Sequence, residues 1–117
     1  MVLECHFEAT GDDTFLTDLC PAWEVALAWL VERADVDGDG FIEFGASAKG
    51  LGHLGVQSCK DSNDSMSHSG GEPVQGALDV SEVQGCTYDA FSSAAIWYER
   101  LGEPGLAAQW RQRADDL

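Results

Sequence analysis

Apolar residues recur at three- and four-residue intervals in the first third and the last third of this chain, and a polar stretch without helical period lies between them. Leu3 and Phe7 stand four apart, which predicts the last turns of a helix over 1–10, stopped at Thr10-Gly11 with Gly11 as a left-handed cap. Asp12 and Asp13 open a second helix, where carboxylates favour the positive end of the helix dipole. Phe15, Leu16, Leu19, Trp23, Ala26, Leu27, Leu30 and Val31 carry the stripe onward, and Pro21 interrupts it. The pattern therefore predicts a short helix over 12–19, a break, and a longer helix to about 34 with Pro21 in its first turn. Helical period returns at Ser81, where Ser81 and Gln84 have the spacing of a capping box. Val83, Tyr88, Phe91, Ala94, Ala95, Tyr98 and Leu101 follow, Gly102 stops the helix, and Glu103-Pro104 starts a last one carrying Leu106, Trp110, Ala114 and Leu117.

Residues 35–80 are rich in Gly, Ser and Asp, and only Phe41-Ile42-Glu43-Phe44 reads as a short strand. The expected fold is all-α: two helical hairpins, 1–34 and 81–117, joined by a long ordered loop over 35–80, all in a single module spanning 1–117. A structureless connection of that length inside a compact domain is usually functional. Gly11-Asp12-Asp13-Thr14-Phe15-Leu16 faintly echoes Gly102-Glu103-Pro104-Gly105-Leu106-Ala107, both being a glycine stop, an acidic start and an apolar helix.

Charge narrows the partners. The formal net charge is −15, from 21 acids against 6 Lys and Arg. Such a chain lacks the clustered cations that displace phosphate counterions, so nucleic acid is excluded, and an anionic membrane surface is disfavoured. No apolar run is long enough to span a bilayer, and Met1-Val2-Leu3-Glu4-Cys5-His6 lacks a basic n-region, so the expected location is the cytoplasm. Cys5, Cys20, Cys59 and Cys86 show no CxxC spacing and are expected as free thiols rather than a zinc site. His6, His53 and His68 are scattered without a helical pair.

Two loop segments carry candidate chemistry. Asp35-Val36-Asp37-Gly38-Asp39-Gly40-Phe41-Ile42-Glu43 places carboxylates at alternate positions with a glycine at the sixth, the opening of a calcium loop. Asp35, Asp37, Asp39, Phe41 and Glu43 are the candidate ligands. Position twelve is Ala46 rather than the bidentate Glu, so a polar turn whose aspartates cap their own backbone is the competing reading. The second segment is Gln57-Ser58-Cys59-Lys60-Asp61-Ser62-Asn63-Asp64-Ser65, in which Lys60 would keep a neighbouring Asp ionised while a second carboxylate is held protonated, the pattern of an acid/base pair. An acidic, serine-rich surface loop has the same spacing. Glu82 at a helix start is accounted for by the dipole alone.

Taken together these segments carry a resemblance. Asp37-Gly38-Asp39-Gly40-Phe41-Ile42-Glu43-Phe44, Lys49-Gly50-Leu51, Gln57 with Lys60-Asp61-Ser62-Asn63-Asp64-Ser65, and Glu82-Val83-Gln84-Gly85 stand in the order and at the separations found in bacterial amylo-α-1,6-glucosidase-like proteins. Over about residues 3–105 the chain resembles the catalytic region of glycogen debranching enzymes, whose fold is a toroid of six helical hairpins, the (α/α)6 barrel. The resemblance implies inverting hydrolysis of an α-glucosidic bond in an α-glucan or glucoside. One carboxylic acid protonates the leaving oxygen, and a second carboxylate about 6.5–9.5 Å away activates water. It makes Asp64 the first choice for the acid and Asp61 the second, as its partner or a ligand to a sugar hydroxyl. Lys60 and Gln57 would order or line the loop, and Glu82 and Gln84 would line or brace the same mouth.

The sequence departs from the family's pattern at three positions. Cys59 and Cys86 stand where aromatic platforms are usual, and Ser58 where Gly is usual. The catalytic base of such enzymes lies in a later hairpin, and 117 residues hold about two of six. The expectation is a truncated glycosidase-like module with the acid loop but without the base, needing no cofactor and not catalytic as a single chain. Trp23, Trp29, Phe91, Trp97 and Trp110 are a large apolar load for so few helices, which predicts a homo-oligomer. The alternatives are an oligomeric assembly protein whose Asp35–Glu43 loop holds calcium, and a hydrolase whose site another copy completes.

Overall fold

The computed structural model describes residues 2–45, 66–74 and 76–117. The fold is all-α: α1 (Val2–Thr10), α2 (Thr14–Asp18), α3 (Cys20–Arg33), α4 (Ser81–Arg100) and α5 (Pro104–Asp116), with two strands of two residues each, β1 (Phe44–Gly45) and β2 (Ala77–Leu78). The helix boundaries follow the apolar stripes. Gly11, whose amide donates to Phe7 O at 2.7 Å, and Gly102 both have positive φ, 69° and 80°. An L side chain at Gly102 would be strained in that left-handed conformation, which is why the stripe of α4 stops there. The echo between the two helix–glycine–helix passages is thus also a conformational one.

The acidic opening of α2 works through Asp12 rather than a formal cap. Asp12 Oδ1 accepts from the Thr14 hydroxyl at 2.6 Å and the Thr14 amide at 2.9 Å. Those two bonds, the hydroxyl first, hold the Asp12 carboxyl below its ordinary value. Leu19 separates α2 from α3, and Pro21 falls in the first turn of α3, where its missing N–H costs nothing.

The core gathers Leu16, Trp23 and Leu27 from the first half with Phe91, Ala94, Tyr98, Ala107 and Ala114 from the second. Ala94 and Ala107 are almost wholly enclosed, so α4 and α5 approach closely where side chains are small. Aromatic edges do the rest: Trp23 meets Trp97 at 5.2 Å and Tyr98 at 5.1 Å, and Phe91 meets Trp110 at 5.3 Å between centroids. Two polar atoms that enter this core are partnered. Trp23 Nε1 donates to Leu16 O at 3.2 Å and Tyr98 Oη donates to Glu24 Oε1 at 2.8 Å. Burial and then the Glu24 bond push the Tyr98 hydroxyl up to about 12. Ser93 Oγ, on the opposite side of α4, donates to Glu4 Oε2 at 3.1 Å and ties α1 to it.

Four of the five aromatics expected to burden the core are buried or partly buried; Trp29 is 56% exposed, beside Val25 at 70%, on the outer face of α3. Cys5, Cys20 and Cys86 are free thiols, and Cys59 lies outside the described residues. No described helix is long and apolar enough to cross a membrane.

Candidate functional site

The strand forms later than the apolar run suggests. Phe41, Ile42 and Glu43 are not in it; β1 begins at Phe44 and pairs antiparallel with β2, Phe44 opposite Leu78 and Gly45 opposite Ala77. The reason is that the backbone of Ile42 is already engaged. Gln84, the fourth residue of α4, accepts from Ile42 N at 2.9 Å through Oε1 and donates to Ile42 O at 2.7 Å through Nε2. The side-chain amide thus imitates one rung of a β-ladder. It follows that Gln84 does not close a capping box: the N-cap of α4 is Val80, with no side-chain cap bond. The rung and the strand pair together hold residues 42–45 against 77–84, so the chain leaves this base at Gly45 and returns to it at Ala77.

Upstream of the rung, the acidic loop folds on its own backbone. Asp35 accepts from Gly38 N at 2.7 Å and, through its other oxygen, from Gly40 N at 3.1 Å. Asp37 accepts from Asp39 N and Asp39 from Phe41 N, at 3.1 and 2.9 Å. Gly40 sits at φ 97°, the sharp turn the motif requires of its sixth residue. The neck is closed by Glu43, whose amide donates to Ala34 O at 2.9 Å while its carboxylate accepts from the Val36 amide. Glu43 is only 7% exposed, which the two bonds at the neck explain.

Among the candidate ligands, three carboxylates come together. Asp35, Asp37 and Asp39 each offer a carboxylate oxygen within 4.8 Å of the others. Oxygens sharing a calcium ion at 2.3–2.6 Å can stand at most about 5.2 Å apart, so the spacing fits. The carboxylate of Glu43 is turned to the Val36 amide instead, and Phe41 donates its amide to Asp39. A fourth carboxylate approaches from a place the motif does not mark: Asp79, between β2 and α4. Partial desolvation, followed by the charges of Asp39, Asp37 and Asp35, pushes the Asp79 carboxyl up. Asp79 lies 40 positions from Asp39 in sequence, and the β1–β2 pairing and the Gln84–Ile42 rung bring the two segments together.

Gln57, Lys60, Asp61 and Asp64 lie outside the described residues, as do Lys49-Gly50-Leu51. The segment that carries them runs between β1 and β2. Glu82 is in the exposed first turn of α4, two residues before Gln84. Residues 66–74, nearer β2, make a small turn of their own, in which His68 N donates to Glu72 O at 2.8 Å and Val74 N to Met66 O at 3.1 Å.

Comparisons with protein families, with curated protein sequences and with solved structures return no match to this chain.

Proposed function

We propose that this chain is a glycoside-hydrolase-like module of the α-1,6-glucosidase type, which binds α-glucan ends and holds the general-acid side of an inverting site. The observation that supports this reading is the Gln84–Ile42 rung. It joins two of the four segments on which the resemblance rests, Asp37–Phe44 and Glu82–Gly85, through Ile42 and Gln84, which stand 42 positions apart. The segment with Lys60, Asp61 and Asp64 falls in sequence between the strands that the rung and the β1–β2 pair hold together. In this reading Asp64 protonates the leaving glucosidic oxygen, Asp61 assists it or binds a sugar hydroxyl, and Lys60 keeps Asp61 ionised. The activating base is supplied from outside these 117 residues, so the chain alone does not turn over. Titration calorimetry with an α-1,6-linked oligosaccharide tests the reading. Binding is expected, weakened by Asp61→Ala, with no glucose released. Absence of binding contradicts the reading; glucose release abolished by Asp64→Asn would instead place the base in another copy of the chain.

A second reading is favoured by the convergence of Asp35, Asp37 and Asp39 and the approach of Asp79. Here the loop takes a calcium ion, and the chain assembles with a second copy through the outer face of α3, where Val25 and Trp29 are exposed one turn apart. That face carries little charge in a chain of net charge −15, so two copies meet there with the least like-charge repulsion.

A further inference from the structure

From Leu19 to Val31 the sequence holds a single charged residue, Glu24, and its carboxylate is turned to the Tyr98 hydroxyl at 2.8 Å. Trp23 and Leu27 bury one side of α3. On the other side Ala22, Val25, Ala26 and Trp29 are all exposed and recur at helical spacing. Val36 and Tyr88, by contrast, are exposed beside acids, Val36 between Asp35 and Asp37 and Tyr88 next to Asp89.

Opposite charges stand at the two ends of this face. Asp18 closes α2 and Arg33 lies in the last turn of α3. Both are exposed, and neither side chain has a hydrogen bond or ion pair among the described residues. Leu19 N donates to Phe15 O at 3.2 Å and Trp23 N to Leu19 O at 3.1 Å, so α2 runs into α3 without a loop and Asp18 stays at the end of the same face.

Whatever covers the face must present a small apolar surface to Trp29, a bulky one to Ala22, a cation to Asp18 and an anion to Arg33. The same face of a second copy, turned end for end, presents all four. The midpoint between Asp18 and Arg33 falls between Val25 and Ala26, and so does the midpoint between Ala22 and Trp29. One two-fold axis crossing α3 at that point therefore satisfies the charge pairing and the size pairing together. A parallel pair would set Arg33 against Arg33, Asp18 against Asp18 and Trp29 against Trp29. Contact between copies through the acidic loop would press carboxylates together in a chain of net charge −15.

We infer that α3 docks antiparallel on the α3 of a second copy, with Val25 and Ala26 at the two-fold axis, Trp29 of each copy over Ala22 of the other, and Arg33 of each paired with Asp18 of the other. This direction of pairing rests on the α3 face of the calcium-loop reading, but not on the ion.

The test is sedimentation equilibrium of the full chain in low-salt, metal-free buffer, from micromolar to millimolar concentration. A reversible monomer–dimer equilibrium is expected, lost in Trp29→Ala. Arg33→Asp turns both end pairs into repulsions and should weaken the dimer by about tenfold, or ~1.4 kcal/mol. It also sets an acid in the last turn of α3, against the helix dipole. Adding Asp18→Arg keeps that cost and restores both pairs, so the dimer should recover in the double variant. A chain that is monomeric throughout, or a dimer indifferent to Trp29→Ala, overturns the docking face and the direction together. A dimer that is lost in Trp29→Ala but unmoved by Arg33→Asp, or that does not recover in the double variant, overturns the antiparallel direction alone.

Discussion

Gln84 and Ile42 are joined by two hydrogen bonds, one in each direction, across 42 positions of sequence. No strand continues through Ile42, so its amide and carbonyl depend on this one side chain for partners within a part-buried environment. Removing it leaves both unmet. Gln84→Ala should therefore destabilise the fold by about 1–3 kcal/mol, the cost of stranding buried backbone groups. Gln84→Glu keeps the acceptor for Ile42 N and loses the donor to Ile42 O, and should fall between the two. Urea unfolding of the three proteins measures the series, and equal stability of Gln84→Ala and the parent would contradict it.

Asp79 faces the charges of Asp39, Asp37 and Asp35, and its carboxyl is pushed up from 3.8. A raised carboxylate stabilises the fold below the unfolded value and loses that contribution as pH rises through the folded one. At neutral pH and low salt, Asp79→Asn should accordingly raise the melting temperature, and salt should shrink the difference by screening exposed charges. Thermal scans of both proteins in low and high salt decide it; a lower melting temperature for the variant in metal-free buffer is the contrary result.

If the same loop takes calcium, binding to the native state stabilises by mass action. The melting temperature should then rise with calcium, saturably, and the rise should vanish in Asp37→Ala. In calcium the sign for Asp79→Asn reverses, because a carboxylate that repels the empty loop helps the filled one. A melting temperature indifferent to calcium leaves only the polar turn.

Tyr98 gives a pH limit at the alkaline end. Its hydroxyl is held up to about 12 by burial and by donation to Glu24. The unfolded chain releases that proton near the ordinary value of 10.0, so the stabilisation is complete below pH 10 and is lost between pH 10 and about 12. Tyr98→Phe should melt lower at neutral pH and flatten the alkaline fall. Melting temperature against pH for the two proteins is the check.

The helices were legible in the sequence because each carries an apolar stripe that only one period explains. Leu16, Trp23 and Leu27 lie on such a stripe, and so do Phe91, Ala94 and Tyr98. The aspartates of 35–39 were legible as a cluster because the turn that gathers them is local. Two features were not legible. Gln84 had the spacing of a cap, and only the position of Ile42 in space shows that its amide is engaged elsewhere. Asp79 comes near the acidic loop through tertiary packing, and no local pattern marks a residue for a neighbour that distant in sequence. Glu43 closes the neck at Val36 through one carboxylate oxygen, a contact that its place in the motif does not announce.

The most direct measurement of the glucosidase-type reading maps where an α-1,6-linked oligosaccharide touches the chain, by amide chemical shifts. The account predicts the largest shifts between Gln57 and Asp64 and at Glu82, with none from a β-linked disaccharide of the same size. Shifts absent from that segment, or equal for the two linkages, would contradict it.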